Sequence, residues 1–157
     1  MSKSILNSRL ADGVNRPGFA SRSLQQEITM KTVLPDFTKY SDFFDKQNIK
    51  KYPAGEYIFH MGDKANCMFV VIDGKVEIAS GKRVLSIIEK GDIFGDMALI
   101  DNSPRSADVR AFTDCTLASL DEYAFKFLVK KIPDFTLDIM RVMSNRLRSL
   151  NSVLPSP

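Results

Sequence analysis

The sequence predicts a mainly β fold with flanking helices, an eight-stranded antiparallel jelly roll, and three observations carry that expectation. Between residues 50 and 120 the apolar positions alternate with a period of two, in short runs. Glycine-bearing turns separate the runs, at Ala54-Gly55, Met61-Gly62-Asp63, Asp73-Gly74 and Ser80-Gly81. On either side the period becomes helical. Many short strands at close spacing argue a sandwich or barrel.

Taken in order, residues 1–34 are polar and interrupted by Gly13, Pro17 and Gly18, which predicts a flexible N-terminal tail, with an Arg- and Ser-rich targeting segment as the alternative. They carry five basic residues against Asp12 and Glu27, which accounts for the whole net charge of +3. Residues 35–157 are the predicted domain. After Pro35, DFTKYSDFFDKQ reads as an amphipathic helix with Phe37, Tyr40, Phe43 and Phe44 on its apolar side. Strands are expected at 50–52, 56–60, 67–72, 75–79, 84–88, 107–112 and 116–120. The Asp73-Gly74 pair reads as a hairpin turn. A helix over 121–131 stops before Pro133, and Asp134 caps a second over about 135–152. Met140, Met143, Leu147, Leu150 and Leu154 follow 3-4-3-4 spacing, either as a stripe packed on the jelly roll or as the seam of a homodimer.

Composition removes several function classes. At 157 residues, 44% hydrophobic and 26% charged, the chain reads as one soluble domain with a short appendage. No apolar run approaches the length of a membrane span. The folded part is charge-balanced, without the basic surplus of a nucleic-acid binder. Cys67 and Cys115 lack metal or redox spacing and read as buried free thiols of a reducing cytoplasm. A jelly-roll metalloenzyme gathers several histidines, and His60 is the sole one here. No nucleophile motif or P-loop is present, so the expectation is a protein that is not an enzyme and holds no cofactor.

Chemistry concentrates in residues 91–111, GDIFGDMALIDNSPRSADVRA. Gly95 lets the backbone turn and approach a ligand closely. Asp96 stands at the start of a short helix whose free N–H groups suit an anion. Pro104 fixes the far side of the loop, and Arg105 brings a planar fork that matches phosphate oxygens.

Phe94-Gly95-Asp96-x-Ala98-Leu99, followed by Pro104-Arg105-x-Ala107-x-Val109-x-Ala111, closely resembles the phosphate-binding cassette of the cyclic-nucleotide-binding domain family. The resemblance continues upstream through Tyr52-Pro53-Ala54-Gly55-Glu56, Gly62-Asp63 and the run from Met68 to Val76, and covers about residues 36–152. It implies a 3′,5′-cyclic nucleotide lying across the cassette. By position, Arg105 would pair with the cyclic phosphate, helped by the Ser106 hydroxyl and the Ala107 N–H. Phe94, Gly95, Met97, Ala98 and Pro104 would surround sugar and phosphate. Val84 would touch the base, and Arg148, Leu150 and Asn151 would cap it. The family's usual glutamate on the ribose 2′-OH is Asp96 here, one carbon shorter; its alternative role is a helix cap. Ser106 resembles the bacterial cyclic AMP binders, so cyclic AMP is expected ahead of cyclic GMP. The implied mechanism is closure of the C-terminal helices over the ligand, read by a protein effector, since no helix-turn-helix follows residue 151. A degenerate fold acting as an interaction scaffold and a regulatory piece of a larger protein are the alternatives.

Overall fold

The computed structural model describes residues 34–153. Eight strands form two four-stranded antiparallel sheets. The strands are β1 (Ile49–Tyr52), β2 (Tyr57–Phe59), β3 (Cys67–Asp73), β4 (Lys75–Ser80), β5 (Arg83–Glu89), β6 (Ile93–Phe94), β7 (Asp108–Ala111) and β8 (Cys115–Asp121). The helices are α1 (Met97–Asp101), α2 (Glu122–Lys131) and α3 (Pro133–Val153). One sheet runs β1-β8-β3-β6 and the other β2-β7-β4-β5, the jelly roll expected from the alternating runs. The eighth strand, β6, is two residues long, too short to show a period of its own. Of the predicted tail, residues 1–33 lie outside the described residues.

Two cores explain the apolar run of β3. Met68 and Val70 point to the helices, with Phe37, Tyr40, Ala118, Leu120, Leu128, Phe135 and Ile139. Phe69 and Val71 point between the sheets, with Val76, Phe94, Val109, Ala111 and Leu117. A strand buried on both faces loses its polar alternation, which is why Met68–Val71 reads as continuous apolar sequence.

The structure alters four local expectations. The Asp73-Gly74 pair is not a hairpin, because β3 pairs with β6 and β8 while β4 pairs with β5 and β7. It carries the chain from one sheet to the other, and a Cβ on Gly74 would lie 2.3 Å from the Asp114 carbonyl oxygen. The segment after Pro35 is a 3-10 helix, Phe37–Phe43, capped by Asp36, whose carboxylate accepts from the Thr38 N–H. Three residues per turn put Phe37 and Tyr40 side by side in the core and leave Phe43 exposed against Phe127. Third, α3 begins at Pro133 itself, which suits a first helical position, so Asp134 sits in the first turn instead of capping. Finally, a bulge at Leu85 shifts the β4–β5 register, pairing Ile78 with Ser86 but Ala79 with Val84. Asp121 does cap α2, accepting the Ala124 N–H at 2.8 Å. No described helix is long and apolar enough to cross a membrane.

Candidate functional site

The site is built where β6, α1 and the loop before β7 meet the inner face of the β2-β7-β4-β5 sheet. Gly95 follows β6 with φ +73, a left-handed conformation, and a Cβ there would stand 2.6 Å from an Arg105 guanidinium nitrogen. α1 is a single short turn, stopped by Asn102 in the left-handed conformation, whose N–H bonds the Ala98 carbonyl. The loop then returns through Pro104. Arg105 is aimed by its backbone: its N–H donates to the Asp63 carbonyl at 2.9 Å, and its carbonyl accepts the Gly62 N–H at 2.8 Å. The Gly62-Asp63 turn thus fixes the arginine as firmly as the proline beside it.

Arg105 is buried, with 6% of its surface exposed. One terminal nitrogen donates to the Gly95 carbonyl at 3.0 Å and the other to the Cys67 carbonyl at 2.7 Å. Its guanidinium carbon lies 4.1 Å from the centre of the Phe59 ring. Burial pushes the neighbouring Cys67 thiol above its usual range against the pull of the guanidinium. The Arg105 Nε is buried without a partner.

Asp96 is 1% exposed and makes no capping bond to α1, which removes the alternative role as a helix cap. Its Oδ1 accepts from Arg146 of α3 at 3.0 Å, and its Oδ2 is buried without a partner. Arg146 also donates to the Ile93 carbonyl and lies 3.6 Å from Asp92. Burial raises the Asp92 carboxyl above the ordinary carboxylate range, outweighing the nearby Arg146 charge.

A cavity of about 110 Å³ joins these groups, lined by Phe59, Ile78, Phe94, Gly95, Asp96, Met97, Ala98, Ser103, Pro104, Arg105, Ser106, Ala107, Val109 and Arg146. Nine of the expected residues are therefore brought together, from Phe94 to Ala98 and from Pro104 to Ala107. Four are not. The Leu85 bulge turns Val84 to the outer face of its sheet, over Glu77, Ala79 and Arg110. Arg148, Leu150 and Asn151 lie on exposed parts of α3, off the turn that faces the cassette. The α3 residue that enters is Arg146, and the strand residue beneath Arg105 is Phe59. The helical spacing to buried Ile139 and Val142 marks Arg146 as inward-facing, a signal the sequence does carry. Nothing in the local sequence singles out Phe59.

Fold and cavity together define a jelly-roll module with a buried arginine and a buried carboxylate at one small cavity. The cyclic nucleotide-binding domain model matches residues 49–131, more than half of the chain. This chain belongs to that family. It is 31% identical over 112 residues to the cAMP-activated global transcriptional regulator CRP of Salmonella typhimurium, covering 68% of this chain and 53% of the relative. The crystal structure of the Thermus thermophilus catabolite activator protein superposes with a TM-score of 0.63 at 27% identity, covering 74% of this chain and 56% of that one. A structure described as Sp-2Cl-cAMPS bound to PKAR CBD2 superposes with a TM-score of 0.58 at 28% identity, covering 82% and 92%. The chain spans about half the length of the curated relatives it matches. The Salmonella relative is named as cAMP-activated, and this chain shares the family's domain.

Proposed function

We propose that the chain is a cyclic-nucleotide sensor whose ligand is cyclic AMP, with cyclic GMP second. One observation carries the reading: Arg105 and Asp96 line the same cavity, and each carries a buried side-chain atom without a partner, the Nε donor and the Oδ2 acceptor. Leaving such groups unmatched costs free energy that a fitting ligand recovers. A 3′,5′-cyclic nucleotide supplies both partners, an anionic phosphate for Arg105 and its single free ribose hydroxyl for Asp96. Ser106 and the Ala107 N–H join Arg105 at the phosphate. Phe94, Gly95, Met97, Ala98 and Pro104 enclose the sugar.

Arg146 joins the cassette to α3, and movement of the cassette is felt there. Ligand shifts α3 only by binding the two arrangements differently. The shift is read by a protein effector in the cytoplasm, without direct nucleic-acid contact through residues 35–157. The exposed side chains of Met140, Leu147 and Leu150 on α3 offer a homodimer seam. Residues 1–34 serve as a tail to this domain, in a chain that works alone or as the regulatory piece of a larger one.

Both Arg105 terminal nitrogens already sit on carbonyls, which favours a second reading, a scaffold that binds no nucleotide. Titration calorimetry of nucleotide-stripped protein separates the two. The sensor gives micromolar or tighter cyclic AMP binding, reduced by ~2–5 kcal/mol in Arg105→Ala. A folded protein that gives no heat with either nucleotide is the scaffold.

A further inference from the structure

The floor of the site is aromatic. Phe69 of β3 and Phe94 of β6 stand opposite each other in register and stack at 5.0 Å and 11°. Phe59 of β2 crosses over from the facing sheet and meets each of them at 6.0 Å. The Arg105 guanidinium carbon lies 4.1 Å from the Phe59 ring centre and 5.7 Å from that of Phe69. A guanidinium presents its donors only in its own plane, and a ring against its face decides how that plane is tilted. The terminal nitrogens are held by the Gly95 and Cys67 carbonyls, and the Nε is buried without a partner. The contact is removed from water, where the attraction between a cation and a ring face is strongest.

We propose that Phe59 is a positioning residue for phosphate recognition: its ring face packs against the Arg105 guanidinium and holds the cation at the cavity wall. The inference rests on the nucleotide-sensor reading and adds an element to it, since an aliphatic residue at 59 fills similar space but lacks the attraction of a ring face for the cation. Phe59 acts through Arg105 and touches the phosphate through no polar atom of its own.

The decisive experiment varies the electronics of the ring at nearly constant size. Phenylalanines carrying one, two and three fluorines are incorporated at position 59, and cyclic AMP affinity is measured beside Phe59→Tyr and Phe59→Leu. Affinity should fall stepwise with fluorination, hold in Phe59→Tyr and drop about 3- to 30-fold in Phe59→Leu. Thermal unfolding of each variant separates this from loss of fold. In ligand-free protein, the Arg105 Nε–H resonance, assigned by its loss in Arg105→Lys, should be displaced by the ring current and return toward its ordinary position in Phe59→Leu. A flat fluorine series in folded protein overturns the proposal, as does an undisplaced Nε–H. Failure of the unmodified protein to bind cyclic AMP overturns the sensor reading instead, and the resonance then decides the stack by itself.

Discussion

Gly95 shows how much depends on one missing methyl group. Its φ of +73 and the 2.6 Å from a built Cβ to the Arg105 nitrogen penalise any side chain twice. Gly95→Ala should therefore displace Arg105 and weaken cyclic AMP binding at least tenfold by calorimetry, with only about 1 kcal/mol lost in stability. Arg146→Ala should act differently. It leaves the Asp96 carboxylate buried without a partner, so both nucleotide affinity and thermal stability should fall, the latter by about 2–3 kcal/mol after allowing for the half-exposed arginine. At this scale the sequence was legible where residue types combine to restrict the chemistry. A glycine before a carboxylate alone marks a turn, and an arginine after a proline alone a surface charge; their combination in one short stretch is what pointed to a site. Phe59 was illegible because its role comes from a ring face brought across from another sheet, and no local pattern records a cross-sheet neighbour. Val84 was misplaced for a related reason: one bulged residue reverses which face a strand position takes.

Elements were more legible than residues wherever one periodicity ran long enough. The seven longer strands and both long helices follow from apolar spacing, because each buries one face or both against a core. The 3-10 segment defeated that logic, since Phe37, Tyr40 and Phe43 fit a spacing of three as well as an α-helical turn. The chain settles on the tighter helix, with Asp36 as its cap. Caps also fix the corner between β8 and α2. Asp121→Ala should cost about 1 kcal/mol in denaturant unfolding, the usual value of a lost N-cap. The stripe of Met140, Leu147 and Leu150 does not pack on the jelly roll: these side chains are exposed and α3 buries Phe135, Ile139 and Val142 instead, which leaves the homodimer seam as the reading to test. Sedimentation of wild type against Leu147→Lys checks this: a dimer should become a monomer, and two equal monomers exclude the seam.

For the whole domain, the N-terminal 3-10 helix and α3 are tied by buried polar groups as well as by rings. Asp138, 1% exposed, accepts from the Tyr40 hydroxyl at 2.7 Å and from Arg141 at 2.8 Å, and pairs with Lys39. Burial pushes its carboxyl upward, and the hydrogen bonds from Lys39, Tyr40 and Arg141 outweigh that, so the net displacement is below the ordinary carboxylate range. A depressed folded-state value stabilises the fold above pH ~4, and that contribution is lost as pH falls through the folded value. Wild type should therefore lose stability in that acid window, by chemical denaturation, more steeply than Asp138→Asn. Nucleotide should act on the same global equilibrium. At one hundred times its dissociation constant it adds ~2.7 kcal/mol, raising the melting temperature by about 10 °C.

The two-faced burial of β3 has a consequence for the order in which the chain is made. Its neighbours in the sheet are β6 and β8, and β8 lies some 45 residues further along. At about 5–20 residues per second, the ribosome leaves β3 without that partner for several seconds. During that interval a four-residue apolar segment has neither of its two cores complete. The nascent domain can close only when β8 emerges and pairs with both β3 and β1, so the last strand synthesised is the one that makes the barrel whole.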